Sequence, residues 1–269
     1  MPQGTIRYRE HQGPGAPIVF IHGLLVDGAL WDAVLPQLDG RRLIVPDWPL
    51  GSHKIGLAED ADLTPPGLAR LVADTLAALD LDDVTLVAND TGGAIAQLVV
   101  TEHPERIGRL VLTNCDAYEN FPPTMFRPLQ VAARAPGSIW LLLQGMRWAP
   151  VRNLPMAFGR LASSRIDPAL TDDWLAPPRI DPAVRRDLTK VLRGISKRYT
   201  EDAATKLGTF GKPTLIAWGR DDTFFSPRYA ERLASDFPNA RLEWIDHARA
   251  FVPLDQPERL AQLIAGFTS

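Results

Sequence analysis

The chain has 269 residues, 45% of them hydrophobic and 23% charged, with a formal net charge of −3 and a single cysteine. These values fit an ordinary globular protein with room for a full core and exclude a disordered chain. Cys115 alone excludes an internal disulfide and a cysteine-based metal cluster, and no apolar run reaches the roughly 18 residues that span a bilayer.

The opening residues lack the basic-then-apolar order of a signal peptide and read instead as a first strand, TIRYREH. A cytoplasmic protein with no membrane partner is the expectation. Further strands are expected at PIVFIHG, RLIVPDW, VTLVAND and RLVLTNC, with helices between them at 28–38, 66–79 and 91–103. Continuous apolar runs such as IVFI and TLVA suit strands buried on both faces, and the alternation of strand and helix predicts an α/β fold with a parallel sheet. Cys115 ends one such run and reads as a buried structural thiol.

The alternation breaks after Cys115. Across 116–206 no strand is expected, prolines recur, and the pieces between them read as helices. This segment is basic: residues 120–206 hold 14 Lys and Arg against 7 Asp and Glu. Solvated helical faces account for that, or a surface that attracts an anionic or electron-rich substrate. Nucleic acid is not an expected partner, because the charges are spread out and lack an aromatic reading motif. Strand and helix resume with PTLIAWG, a helix at 227–237, ARLEWI and a closing helix at 257–267. The expected organisation is a core formed by 1–115 and 207–269, with a helical cap at 116–206.

Chemistry concentrates at Val87-Ala88-Asn89-Asp90-Thr91-Gly92-Gly93-Ala94, between a strand and a helix. A tight turn there pushes one side chain above the sheet edge, and its neighbours must be small. Ala88, Gly92 and Gly93 meet that demand and leave Asp90 at the apex; the alternative is that Asp90 or Thr91 merely caps the helix.

With Val19-Phe20-Ile21-His22-Gly23, Pro46-Asp47-Trp48-Pro49-Leu50-Gly51 and Trp218-Gly219-Arg220-Asp221-Asp222 in order around that turn, the chain resembles the α/β-hydrolase superfamily. The resemblance is specifically to its aspartate-nucleophile branch, the epoxide hydrolases and haloalkane dehalogenases. The resemblance implies a mostly parallel eight-stranded sheet flanked by helices, with a helical cap. It implies Asp90 as nucleophile, the backbone N–H groups of Leu24 and Thr91 as an oxyanion hole, and Asp222 as the acid. Its catalytic histidine position falls on Ala250, before Phe251. Three readings stay open there: a position altered from a protonatable residue, His247 reaching the site from three residues earlier, or chemistry without a histidine base.

His22 is expected to hold its loop, while His53, after RLIVPDW, is a candidate for substrate contact or proton transfer. Tyr118 and Tyr199 are candidates for protonating a ring oxygen. Trp140, Trp148 and Trp174, with Phe224, Phe225 and Phe251, either fill small cores or wall a pocket for a flat apolar or aromatic substrate. Aspartate at the turn favours attack on an sp³ carbon through an alkyl-enzyme ester, and epoxide opening is preferred, because Thr91 stands where the dehalogenases carry tryptophan. A lyase, cyclase or isomerase using Asp90 as base, or a ligand-binding protein, are the alternatives. No cofactor or metal is expected, and the sequence sets no oligomeric state.

Overall fold

A computed structural model describes residues 3–268. Seven strands form one sheet in the order β1-β3-β2-β4-β5-β6-β7, where β1 is Tyr8–His11, β2 Ile18–Ile21, β3 Leu43–Pro46, β4 Val84–Asp90, β5 Ile107–Cys115, β6 Thr214–Gly219 and β7 Ala240–Ile245. Only β1 runs antiparallel, at the edge against β3; the rest are parallel. Every residue of β2, β3 and β6 is buried, as the unbroken apolar runs require. Each fully buried Ile, Val, Leu or Phe contributes about 1.5–3 kcal/mol, so the centre of the sheet is the stable platform beneath the site.

The helices are α1 (Pro65–Ala78), α2 (Thr91–Glu102), α3 (Arg127–Ala132), α4 (Ser138–Gly145), α5 (Ala149–Arg152), α6 (Pro168–Ile180), α7 (Pro182–Gly194), α8 (Lys197–Ala204), α9 (Pro227–Asp236), α10 (Val252–Asp255) and α11 (Pro257–Phe267). Their starts follow local chemistry: Thr64, Asp167 and Asp181 accept from first-turn N–H groups of α1, α6 and α7, and each is followed by proline.

Two expectations are corrected. The described residues hold seven strands rather than eight, because only β1 precedes β2. The expected helix at 28–38 is two short 3₁₀ turns, Gly28–Trp31 and Leu35–Leu38; Pro36 has no N–H to give to the carbonyl four residues back, which interrupts an α-helical ladder.

Between β5 and β6 the chain is helical, from α3 to α8. Helix α8 packs against α2, alongside the sheet, whereas α4 packs on α6 and α7. No helix among the described residues is long and apolar enough to cross a membrane.

Candidate active site

Asp90 ends β4 and adopts φ 55°, ψ −132°, a conformation that L residues rarely take outside a strained turn. Close approach explains the small neighbours. A Cβ on Gly92 would lie 2.4 Å from the carbonyl oxygen of His22, and one on Gly23 would lie 2.0 Å from Asp90 Oδ2. The turn thus sets the carboxylate against the β2 loop, where the Leu24 N–H donates to Oδ2 at 3.1 Å. Burial pushes the Asp90 carboxyl up to about 6, opposed by the N–H groups of Thr91 and Leu24 and reinforced by Asp222. Asp90 keeps some accessible surface, while Ala88, Asn89 and Thr91 around it have almost none.

Asp222 is buried beyond β6, while Asp221 is exposed, as opposed directions of adjacent side chains require. Asn114 Nδ2 donates to Asp222 Oδ2 at 2.8 Å and the Phe224 N–H to Oδ1 at 2.7 Å. Burial still pushes this carboxyl up to about 6.

The sequence reading missed a third carboxyl. Asp116 follows β5 directly; its N–H donates to the Asp90 carbonyl at 3.3 Å, and its Oδ2 lies 3.2 Å from Thr91 Oγ1. Its Oδ1 is buried with no hydrogen-bond partner among the described residues. Burial first, then Asp90 and Asp222, hold it well above the usual carboxylate range, with the Thr91 hydroxyl opposing. Three like-charged groups cannot all ionise cheaply in one enclosed space, and the one with fewest donors keeps its proton. The available signal was position: an acid at the C-terminal edge of the strand beside β4.

The histidines lie elsewhere. Ala250 is fully buried, and its carbonyl accepts from Asn89 Nδ2 at 2.7 Å. His247, the possible substitute, is exposed on the turn after β7 at φ 57°, so its imidazole does not join the carboxyls. His22 accepts from the Trp48 N–H through Nε2 at 2.8 Å and faces the Gly23 carbonyl through Nδ1 at 2.9 Å. That fixes a neutral ring holding two loops together, and burial lowers its basicity further. His53 is buried, with Nε2 3.3 Å from Asp187 Oδ2 on α7. Asp187 also accepts from the Leu57 N–H and from Arg186, so this pair ties the β3 loop to α7.

Neither tyrosine is placed to protonate a substrate. Tyr118 is buried, donates to Asp236 Oδ2 at 2.9 Å and stacks with Tyr229, because it anchors the segment after β5 to α9. Tyr199 is half-buried on α8, its hydroxyl 2.5 Å from the Arg198 guanidinium at the surface. Of the tryptophans, Trp174 is buried edge-on against Phe251 and donates to Asp27 Oδ1 at 3.0 Å, whereas Trp140 and Trp148 face outward and wall no site. Phe224 and Phe225 are buried beside Asp222, and Phe224 packs on Phe126.

A strained aspartate after a central strand, facing a backbone N–H from the preceding crossover and flanked by acids at the next two strand ends, is an arrangement of the α/β-hydrolases. The model of the Alpha/beta hydrolase family matches residues 18–263, and the chain belongs to that family. It is 26% identical to YugF, an uncharacterized hydrolase of Bacillus subtilis, over 98% of this chain and 94% of that one. It is 28% identical to haloalkane dehalogenase 2 of Mycobacterium bovis, over 97% and 91%. An α/β-hydrolase-fold protein of Burkholderia ambifaria superposes with a TM-score of 0.79 at 20% identity, covering 97% and 93%, a likeness of fold.

Proposed function

We propose that this hydrolase opens an sp³ carbon–oxygen bond, as in an epoxide, through an ester on Asp90. The observation that carries the reading is the Asp90 carboxylate itself, with one oxygen held by the Leu24 N–H while the residue keeps accessible surface. In the proposed reaction Oδ1 attacks the carbon, the ring carbon–oxygen bond breaks, and the oxygen takes a proton. Asp116, kept neutral, supplies that proton through the hydroxyl of Thr91, the residue it touches. An oxygen leaving group needs a proton and a halide does not, so a neutral acid at this place favours the oxygen substrate.

Water then attacks the ester carbonyl. Asp116, now ionised, takes the water proton by the same route, and the developing oxyanion lies against the Leu24 and Thr91 N–H groups. Epoxide and water become a diol, and both aspartates return to their starting states. Asp116 thereby fills the place of the histidine that Ala250 replaces. The helices between β5 and β6 act as the cap, and Trp174 on α6 meets Phe251 of the core edge-on.

A single turnover of an aryl epoxide in H₂¹⁸O tests this. The peptide carrying Asp90 should gain one ¹⁸O, and Asp90→Asn should abolish both label and diol; an unlabelled peptide after turnover rejects the ester. Asp116→Asn should still be alkylated by an alkyl bromide, whose leaving group needs no proton, and should retain the adduct. The buried methyl of Ala250 favours one second reading, in which Asp90 is a general base in a lyase or isomerase. That reading requires solvent proton exchange with no adduct.

A further inference from the structure

Residues 121–166 contain six arginines and not one lysine, aspartate or glutamate. Arg152 is buried and paired with Asp172. Arg127, Arg134, Arg147, Arg160 and Arg165 are exposed, and none forms an ion pair among the described residues. The same stretch carries large apolar side chains in the open: Trp148 is 72% exposed, Leu141 67%, Val131 64%, Met156 57% and Trp140 48%.

Helix α4 explains why these side chains face outward. Its inner face is Ile139 and Leu143, one turn apart and buried toward α6 and α7. At about 100° per residue, Leu141 falls opposite that pair with Trp140 beside it. The sequence Ser-Ile-Trp-Leu-Leu-Leu is therefore apolar on both faces, and a polar outer face would be expected if water were its only neighbour. Exposed Trp and Leu among unpaired arginines is the composition of segments that lie in the headgroup layer of a bilayer.

We propose that the face formed by α3, α4, α5 and the residues following α5 docks on anionic lipid, with Trp140, Leu141 and Trp148 entering the interface and the arginines meeting the headgroups. A second copy of the chain is disfavoured, since a twofold contact would set arginine against arginine. Docking on a bilayer surface needs no spanning segment, and no helix among the described residues is long and apolar enough to form one.

The full chain is sedimented with vesicles of phosphatidylcholine alone and with about one third phosphatidylglycerol, with intrinsic tryptophan emission recorded. Anionic vesicles should bind at least about tenfold more protein, with a blue shift, and high salt should weaken the binding. Trp148→Ser with Leu141→Ser should lose the blue shift, and Arg134→Glu with Arg147→Glu should lose the preference for anionic lipid. All four positions are exposed, so circular dichroism should be unchanged. Equal binding to both vesicle types, no binding to either, or variants that bind as the parent does would overturn the proposal. So would concentration-dependent dimerisation that the same substitutions abolish, which assigns the face to a second copy.

Discussion

Asn89, the residue before the strained Asp90, donates from its side-chain amide to the carbonyl of Ala250, 161 positions later, at 2.7 Å. The same amide reaches Thr113 Oγ1 at 2.8 Å. One buried side chain thus joins the turn after β4, the end of β5 and the loop after β7. Asn89→Ala leaves the Ala250 carbonyl buried without this donor and should cost about 1–3 kcal/mol, read as a shift of the urea midpoint.

Ala250→His tests the loop from its other side. The methyl is fully buried, so an imidazole overpacks the site and should lower stability by about 1–3 kcal/mol. In the proposed reaction the same change supplies a second base and should shorten the lifetime of the Asp90 ester, measured by quenched mass spectrometry.

Asp90 and Asp222 are held at about 6, above the ordinary 3.8. Between those values the folded protein binds protons that the unfolded chain has released. The stability that this confers is complete below about 3.8 and is lost as pH rises through about 6, at about 1.4 kcal/mol per pH unit for each group. Urea unfolding should become easier over that window. Asp90→Asn should flatten the dependence and stabilise the protein at neutral pH while abolishing turnover. The rate itself should climb through about pH 6, as Asp90 ionises, and fall at higher pH as Asp116 loses its proton.

Gly23→Ala places a methyl where Asp90 Oδ2 now lies. The carboxylate must leave the Leu24 N–H, and the rate should fall about a hundredfold or more with circular dichroism unchanged.

Trp174→Phe keeps a ring against Phe251 but removes the N–H bonded to Asp27. Asp27 also holds Lys54 at 3.0 Å, so this aspartate links the helices after β5 to the loops of the sheet. A loss of about 1.5–3 kcal/mol is expected, checked by thermal unfolding.

Strands and the Asp90 turn were legible because each rests on local chemistry: unbroken apolar runs for the strands, and small residues around one acid for the turn. Asp222 over Asp221 was legible from a resemblance and from side-chain alternation. Asp116 was harder to read, since its position at the end of β5 becomes informative only once β5 is placed beside β4. Tyr118 was misjudged for a similar reason. Its partner Asp236 is over a hundred positions away, and only the folded chain makes it an anchor. The helix at 28–38 failed on Pro36, a local signal that was available.

Asp90 and the two acids beside it, Asp116 and Asp222, give the interior an electrical character opposite to the arginine-bearing exterior. A negatively charged guest drawn toward the outer face meets repulsion at the catalytic depth, where little water remains to screen it. In the proposed reaction, an uncharged or positively charged substrate meets no such obstacle, so the acids at depth would sort substrates by sign.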